Sequence, residues 1–282
     1  MINYGKHNIN QDDIDAVIDV LKSDFLTQGP KVQEFENDLR TYCGAKHAKV
    51  VTNATSALHL AYLAVGLKKN GLVWTSPNTF VSTANAALYC GAKVDFVDID
   101  PSTYNMSVLA LKDKLKKAEN SGELPDLVVP VHFSGQSCEM KEIWELSKKY
   151  DFKVVEDASH ALGGEYMGRK VGNCEYSHMC VFSFHPVKMI TTGEGGAITT
   201  NDENLDESKG LAAKSKKSGI SVGTLRKVYN RGMAAWKTGH RPGTTPQQWG
   251  MARVNAFIVK KKKGNLNHDK DLAHVIHPDD NM

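Results

Sequence analysis

The sequence predicts an α/β domain built on a mainly parallel sheet with helices on both faces, followed by a short basic α-helical module. Three observations carry this prediction. Apolar runs of strand length alternate with segments of helix length up to residue 200. These runs are apolar throughout, as is typical of strands buried on both faces. The last two runs follow each other without a helix, which predicts an antiparallel hairpin at one edge of the sheet.

Each element has its own local signal. The first helix starts at the capping residue Asn10 and ends near Leu21, before the helix-breaking segment "LTQGP". The second helix ends at Gly44, because glycine adopts the left-handed conformation that closes helices. Beyond it, short apolar runs predict strands and the longer segments between them predict helices. The predicted strands are 47–52, 71–77, 93–100, 126–133, 152–158, 178–184 and 195–200, and the predicted helices are 10–21, 31–44, 53–67, 79–92, 107–120 and 139–150.

Composition places the chain among soluble globular proteins, with 41% hydrophobic and 24% charged residues in 282. The longest apolar stretches are far short of the roughly 20 residues that a membrane span needs, and the N-terminus lacks an apolar signal core. The five cysteines form no CxxC pair, which argues against a disulfide framework or a zinc site. We therefore expect a cytoplasmic protein with buried free thiols, no metal and no membrane partner.

Charge is distributed unevenly along the chain. Residues 1–204 hold 20 Lys and Arg against 26 Asp and Glu, whereas residues 205–282 hold 15 against 6. Such a break indicates two segments with different partners. We divide the chain into an α/β domain over 1–205, a basic linker over 206–219 and a small basic helical module over 220–282.

Ligands of open α/β sheets bind beyond the carboxyl ends of the strands, so the polar residues there are the candidates for function. Thr55 and Ser56 open a helix directly after a strand, which is either an anion cradle or an ordinary helix cap. Asp157 ends a strand, with His160 three residues on; the carboxylate pairs with a cationic nitrogen or caps a turn. Phe80 opens another helix and, taken alone, is more typical of a core aromatic.

Lys188 lies in the predicted hairpin loop, in "FSFHPVKMITTGEGG", just after Ser183 and His185. A lysine between two apolar strands is partly desolvated, which lowers its pKa and frees a nucleophilic amine; the alternative is a solvated loop lysine. Together, a phosphate cradle, a strand-end carboxylate, a flat aromatic and a lysine nucleophile are what pyridoxal 5′-phosphate (PLP) requires.

Six motifs in order carry a resemblance to a known family: "LTQGPKVQEFE", "NATSALHLA", "SPNTFVSTANAALYCGA", "VPVHFSGQ", "VVEDASHALGGEY" and "FSFHPVKMITTGEGGAITTN". Over residues 1 to about 205 the chain resembles the DegT/DnrJ/StrS family of PLP-dependent sugar aminotransferases. The nearest branch makes the 4-amino sugar nucleotide precursor of pseudaminic acid. The resemblance implies a fold-type I PLP-transferase large domain.

The resemblance also implies roles for individual residues. It makes Lys188 the Schiff-base lysine and Asp157 the partner of the pyridine nitrogen, and it places His160 beside the cofactor. Thr55, Ser56 and Ser183 become phosphate ligands, and Phe80 becomes the aromatic ring stacked on the cofactor. Relatives with histidine in place of the lysine are dehydratases, so Lys188 indicates transamination, from a glutamate-like amino acid to a nucleotide-linked keto-sugar.

The resemblance ends near residue 205, before the family's smaller C-terminal domain, which completes the sugar site and helps to close the cofactor site of a homodimer. The tail instead predicts helices over 222–236 and 246–259, and it weakly resembles short modules of uncharacterised marine phage proteins. It is either a solvated basic surface or a nucleic-acid-binding module.

Three readings of the whole chain remain open at this point. It is a sugar-nucleotide aminotransferase in surface polysaccharide biosynthesis, a catalytically impaired accessory protein of phage type, or half of a split enzyme completed by another chain. The partners expected are therefore a nucleotide-sugar, an amino acid, and a second copy or a complementing chain.

Overall fold

The computed structural model describes residues 8–27 and 29–202 and, in the C-terminal part, residues 218, 220, 224, 225, 227, 228, 231 and 253–258. The chain forms two compact units, Met1–Leu205 and Asp206–Met282. The helices are α1 (Gln11–Lys22), α2 (Pro30–Cys43), α3 (Ala54–Ala64), α4 (Ser82–Tyr89), α5 (Val108–Ser121) and α6 (Met140–Tyr150). The strands are β1 (His47–Val51), β2 (Leu72–Thr75), β3 (Lys93–Phe96), β4 (Leu127–Val129), β5 (Lys153–Asp157), β6 (Glu165–Tyr166), β7 (Arg169–Lys170), β8 (Met179–Ser183) and β9 (Gly196–Thr200).

The first unit contains a sheet of seven strands in the order β1-β9-β8-β5-β4-β2-β3. The four neighbouring pairs from β8 to β3 are parallel, and β9 is antiparallel to both of its neighbours. This confirms the predicted fold class, a mainly parallel sheet. Strands β6 and β7 form a separate two-stranded ribbon. These strands are too short for hydrophobic periodicity in the sequence to predict them.

The predicted position of the β8–β9 hairpin at one edge of the sheet is wrong. β1 pairs outside β9, with a register that runs from His47 opposite Thr200 to Val51 opposite Gly196. Hydrophobic patterns indicate where strands lie but not which strands pair, and this pairing joins segments about 150 residues apart. The consequence is functional, because β1 brings the start of α3 to the hairpin.

Helices cover both faces of the sheet, as predicted. On one face α3 and α4 pack on strand residues such as Val73, Val155 and Val181. On the other face α5 and α6 bury Trp74 and Val154, and α2 packs on the core residues of β8. Burial of these apolar side chains is the main favourable term in folding.

The five cysteines are free thiols, as the sequence predicted; four of them are buried as expected, and Cys90 is only partly buried. In the second unit the described residues 224, 225, 227, 228, 231 and 253–258 are helical, and Leu225, Val228, Val254 and Phe257 are buried. The other residues of the two predicted tail helices lie outside the described part of the chain, as do most of those in the proposed linker. Among the described residues, no helix has the length and apolar character to cross a bilayer.

Candidate functional site

Three strands bring polar residues to the carboxyl edge of the sheet, which is the edge formed by the carboxyl ends of its parallel strands. β5 ends at Asp157 and β8 ends at Ser183. Gly196, the first residue of β9, pairs with Ser183 on one side and with Val51 of β1 on the other. Directly opposed residues of antiparallel strands lie about 5 Å apart, so the ends of β1 and β8 meet across Gly196.

Asp157 is buried, with 4% of its surface exposed, and it accepts three hydrogen bonds. Ser159 donates its hydroxyl to Oδ1 over 2.6 Å and its amide to the same oxygen over 3.2 Å. Thr83 donates its hydroxyl to Oδ2 over 2.7 Å. An ionised carboxylate has about four acceptor positions, so one position on Oδ2 is left for a further donor.

Lys188 is half-buried in the loop between β8 and β9, and its Nζ lies 2.5 Å from Nε2 of His160. Burial lowers the pKa of the Lys188 amine, and the charge of Asp157 opposes that shift. Burial also lowers the pKa of His160, and the nearby Lys188 charge adds to this effect. An ammonium at Lys188 can only donate, so in that form Nε2 of His160 accepts and the imidazole carries its proton on Nδ1.

The Lys188 loop is held by its own base. Phe184, the first residue of the loop, donates its amide to Gly195 over 2.8 Å and accepts at its carbonyl from Thr191 and Thr192. A Cβ on Gly195 would overlap the Thr192 hydroxyl, so that side chain would have to move to admit any residue but glycine here. These hydrogen bonds join the two ends of the loop, and Lys188 lies between them.

The first turn of α3 lies at the same edge of the sheet. Asn53 caps the helix by accepting from the amide of Ser56 over 2.8 Å, and Thr52 donates its hydroxyl to that of Ser56 over 3.3 Å. The amides of Ala54 and Thr55 have no hydrogen-bond partner among the described residues. Free first-turn amides and the helix dipole attract anions such as phosphate.

Gly196 joins this turn to the hairpin. A Cβ at Gly196 would lie 2.5 Å from the carbonyl carbon of Asn53 and 2.6 Å from the amide nitrogen of Ala54. Only glycine allows this approach. It places the half-buried Ser183, which pairs with Gly196, beside the start of α3.

Phe80 is not part of the core, contrary to what its sequence pattern alone suggested, because 75% of its surface is exposed. Its carbonyl accepts the amide of Thr83 over 3.1 Å, so the turn that carries Phe80 also carries the Thr83 hydroxyl on Asp157. His185 is exposed as well. The structure thus brings Lys188, His160 and Asp157 together, gathers Ser56, Thr55 and Ser183 around Gly196, and leaves the Phe80 ring open.

Sequence reasoning missed Thr83 and Ser159, the two hydroxyl residues on Asp157. Ser159 had a signal, since it lies two residues after a strand-end carboxylate, where side-chain turns are common. Thr83 had none, because its partner is 74 residues away. Among residues 8–27 and 29–202 and the described tail positions, no group of His, Cys, Asp and Glu could hold a metal.

Comparisons with known proteins find relatives for most of the chain. The model of the DegT/DnrJ/EryC1/StrS aminotransferase family matches residues 7–239, which extends past the point near 205 where the sequence motifs end. UDP-4-amino-4,6-dideoxy-N-acetyl-beta-L-altrosamine transaminase of Campylobacter jejuni is 51% identical over 205 residues, 73% of this chain and 53% of the relative. UDP-4-amino-4-deoxy-L-arabinose--oxoglutarate aminotransferase of Shewanella sediminis is 39% identical, over 70% of this chain and 48% of the relative.

Among solved structures, Helicobacter pylori PseC, an aminotransferase involved in the biosynthesis of pseudoaminic acid, is similar with a TM-score of 0.68 and 30% identity. The similarity covers 93% of this chain and 66% of that one. The chain spans about half the length of the curated relatives that it matches.

Proposed function

This chain belongs to the DegT/DnrJ/EryC1/StrS aminotransferase family, and on that premise we propose that it binds PLP at the carboxyl edge of its sheet and acts in transamination. One observation carries the proposal: a partly desolvated lysine beside a histidine and a buried carboxylate with one open acceptor position. Lysine nucleophiles with lowered pKa are typical of such sites.

The residues present fit each part of the cofactor. The free amides in the first turn of α3, together with the hydroxyls of Thr55, Ser56 and Ser183, suit the phosphate group. The open position on Asp157 suits a protonated ring nitrogen. The exposed Phe80 ring suits one face of the pyridine, because aromatic rings favour offset stacking.

When bound, PLP supplies an aldehyde carbon for amines and a ring that accepts electrons from the reacting carbon. Lys188 is the nucleophile, since burial leaves more of its amine neutral at a given pH. Its Nζ then holds and moves the proton as general base and acid. His160 orients the amine through the contact with Nζ, and Asp157 keeps the proton of the ring nitrogen in place.

The proposed substrates are a nucleotide-linked keto-sugar and a glutamate-like amino acid, in the biosynthesis of a surface polysaccharide. The names of the C. jejuni and S. sediminis relatives, which are UDP-sugar aminotransferases, support the sugar class. The second name includes oxoglutarate, the keto acid of glutamate, which supports the donor. The most specific form of this proposal is a product related to pseudaminic acid, which the structural similarity to PseC supports.

We also propose that the site works with a second chain, either a copy of this one or a complementing chain. Apolar side chains in α3 and α4 and at the N-cap of α4 are exposed: Leu63 at 43%, Val81 at 58%, Leu88 at 55% and Tyr89 at 57%. Exposed apolar patches of this kind mark association sites. The cytoplasmic location, the nucleic-acid-binding tail and the phage-type accessory role stay predictions from the sequence.

Amine exchange with glutamate tests the proposed reaction. Purified protein saturated with PLP is mixed with carbon-labelled glutamate and unlabelled oxoglutarate, and the appearance of the carbon label in oxoglutarate is followed, with Lys188→Ala as the control. We expect exchange in the wild type and none in the variant. A protein that holds PLP on Lys188 but exchanges no amine would contradict transamination by this chain alone and favour the complementing-chain form.

A further inference from the structure

Among the residues that the structure describes, Thr83 makes the one hydrogen bond to the Asp157 carboxylate that comes from outside the Asp157 turn. Its side chain lies in α4, is fully buried and donates to Oδ2 over 2.7 Å. The two other hydrogen bonds to this carboxylate come from Ser159, two residues on, and both reach Oδ1. The placement of Oδ2 therefore depends on a different element of the fold.

The direction of the hydrogen bonds around Thr83 can be assigned from the donors available. The Thr83 hydroxyl has two acceptors, the Asp157 carboxylate at 2.7 Å and the Phe80 carbonyl at 3.1 Å, so its single proton goes mainly to the nearer, charged oxygen of Asp157. The Thr79 hydroxyl lies 2.7 Å from that of Thr83 and must then donate to it. The result is a chain from Thr79 through Thr83 to Asp157, in which each hydrogen bond polarises the next.

The backbone of Thr83 is fixed as well. The buried hydroxyl of Tyr62 in α3 donates to the carbonyl of Thr83 over 2.8 Å, and the amide of Thr83 donates to the carbonyl of Phe80 over 3.1 Å. Thr83 is thus tied to α3, to the Phe80 turn and to the end of β5. Because the residue is tied at three points, its hydroxyl contacts the carboxylate in one defined geometry.

We propose that Thr83 is the positioning residue of Asp157. Its hydroxyl takes one acceptor position of Oδ2 and fixes the carboxylate in place, so that the remaining position would accept the N–H of a protonated pyridine ring. This inference rests on the proposed function. Without the hydroxyl, Oδ2 loses the contact that fixes its position, and the hydrogen bond that would hold the ring N–H weakens.

The first test reads the ring nitrogen directly. PLP labelled with ¹⁵N in the ring is bound to wild-type protein and to the variants Thr83→Val, which has the same shape without the hydroxyl, and Thr83→Ser, which retains it. The matched control is Thr75→Val, because Thr75 is equally buried but donates to the carbonyl of Val129.

We expect the ¹⁵N chemical shift of a protonated ring in the wild type, in Thr83→Ser and in Thr75→Val, and a shift toward the unprotonated value in Thr83→Val. The affinity of Thr83→Val for PLP should fall about tenfold or more, as for the loss of a hydrogen bond to a charged group. The same ¹⁵N shift in Thr83→Val as in the wild type would overturn the proposal. If Thr83→Val does not fold, Thr83→Ala replaces it with the same expectation.

The second test needs no cofactor and separates this inference from the proposed function. Thr83→Val is made in the wild-type background and in Asp157→Ala, and the urea midpoints of the apo-proteins are compared at neutral pH. We expect Thr83→Val to lower the urea midpoint clearly in the wild-type background and much less in the Asp157→Ala background. A double-mutant cycle of this kind isolates the interaction between the two side chains. Equal losses would overturn the inference. If the wild type takes up no PLP, the proposed function fails and this cycle alone decides the role of Thr83.

Discussion

The Nζ atom of Lys188 lies 2.5 Å from Nε2 of His160, although the two residues lie on different segments that meet only in the folded chain. His160 follows Asp157 by three residues, and Lys188 follows the end of β8. Because β5 and β8 are parallel neighbours, their carboxyl ends place the amine and the carboxylate on one edge. The lysine is thereby desolvated next to a neutral acceptor and within the field of an anion.

The amine of Lys188 should react with acylating reagents at lower pH than exposed lysines do. Burial lowers its pKa, so the neutral, reactive form is reached earlier as the pH rises. Competitive labelling with acetic anhydride, read by mass spectrometry across pH with the exposed Lys116 as internal reference, measures this. In Asp157→Asn the midpoint should move lower still, because the charge that opposes the shift is gone. A midpoint that rises in this variant would contradict the assigned electrostatics.

Phe80→Ala should weaken PLP binding and leave folding stability almost unchanged. The Phe80 ring is 75% exposed, and truncation of exposed side chains changes the free energy of unfolding by only about 0.5 kcal/mol. The matched control is Leu109→Ala, since Leu109 is 74% exposed on α5. Both variants should unfold like the wild type in urea, and only Phe80→Ala should bind PLP more weakly. Equal PLP affinities for the two variants would argue against a stacked Phe80.

Gly196→Ala should disturb both the fold and the proposed phosphate cradle. The new methyl would lie 2.5 Å from the backbone of Asn53 and 2.6 Å from that of Ala54, so the start of α3 must move, at a cost of about 1–3 kcal/mol. Gly122→Ala is the control, because a methyl there meets nothing within 4 Å and only the positive φ of 72° is strained. Urea unfolding and PLP titration should show that Gly196→Ala, unlike Gly122→Ala, loses cofactor affinity.

Acid should destabilise the fold partly through His178. Its Nδ1 accepts the amide of Val154 over 3.1 Å, and burial together with Lys153 and Lys148 lowers its pKa from 6.5 to about 4. The folded state then binds fewer protons than the unfolded state between these values, so stability falls as the pH decreases from 6.5 toward 4. His178→Asn keeps an acceptor and cannot titrate there. Its urea midpoint should depend less on pH in this range; an unchanged dependence would count against this role of His178.

The strand ends that carry the candidate site were predicted from the sequence, because each apolar run stops where polar residues begin. Asp157, Lys188 and Ser183 were found in this way, and the motifs of the family resemblance added roles to them. Local patterns also predicted the hairpin that carries Lys188. They failed where pairing is long-range: β1 outside β9 and Thr83 on Asp157 both join segments far apart in the chain.

The Phe80 ring shows a different limit. An aromatic residue at the start of a helix is most often part of a core, and hydrophobic pattern alone favoured that alternative. The structure leaves it exposed because its turn is held through backbone and Thr83 rather than through its ring. Exposure follows from the packing of neighbours, which a single sequence does not contain.

The identity of the lysine that binds PLP tests the account most directly. Wild-type protein is incubated with PLP, reduced with borohydride, digested and mapped by mass spectrometry, with Lys188→Arg as the control that retains charge. We expect a reduced pyridoxyl adduct on Lys188, visible absorbance before reduction, and neither in the variant. An adduct spread over exposed lysines, or one that persists in Lys188→Arg at the same level, would contradict the assignment of this edge of the sheet as the cofactor site.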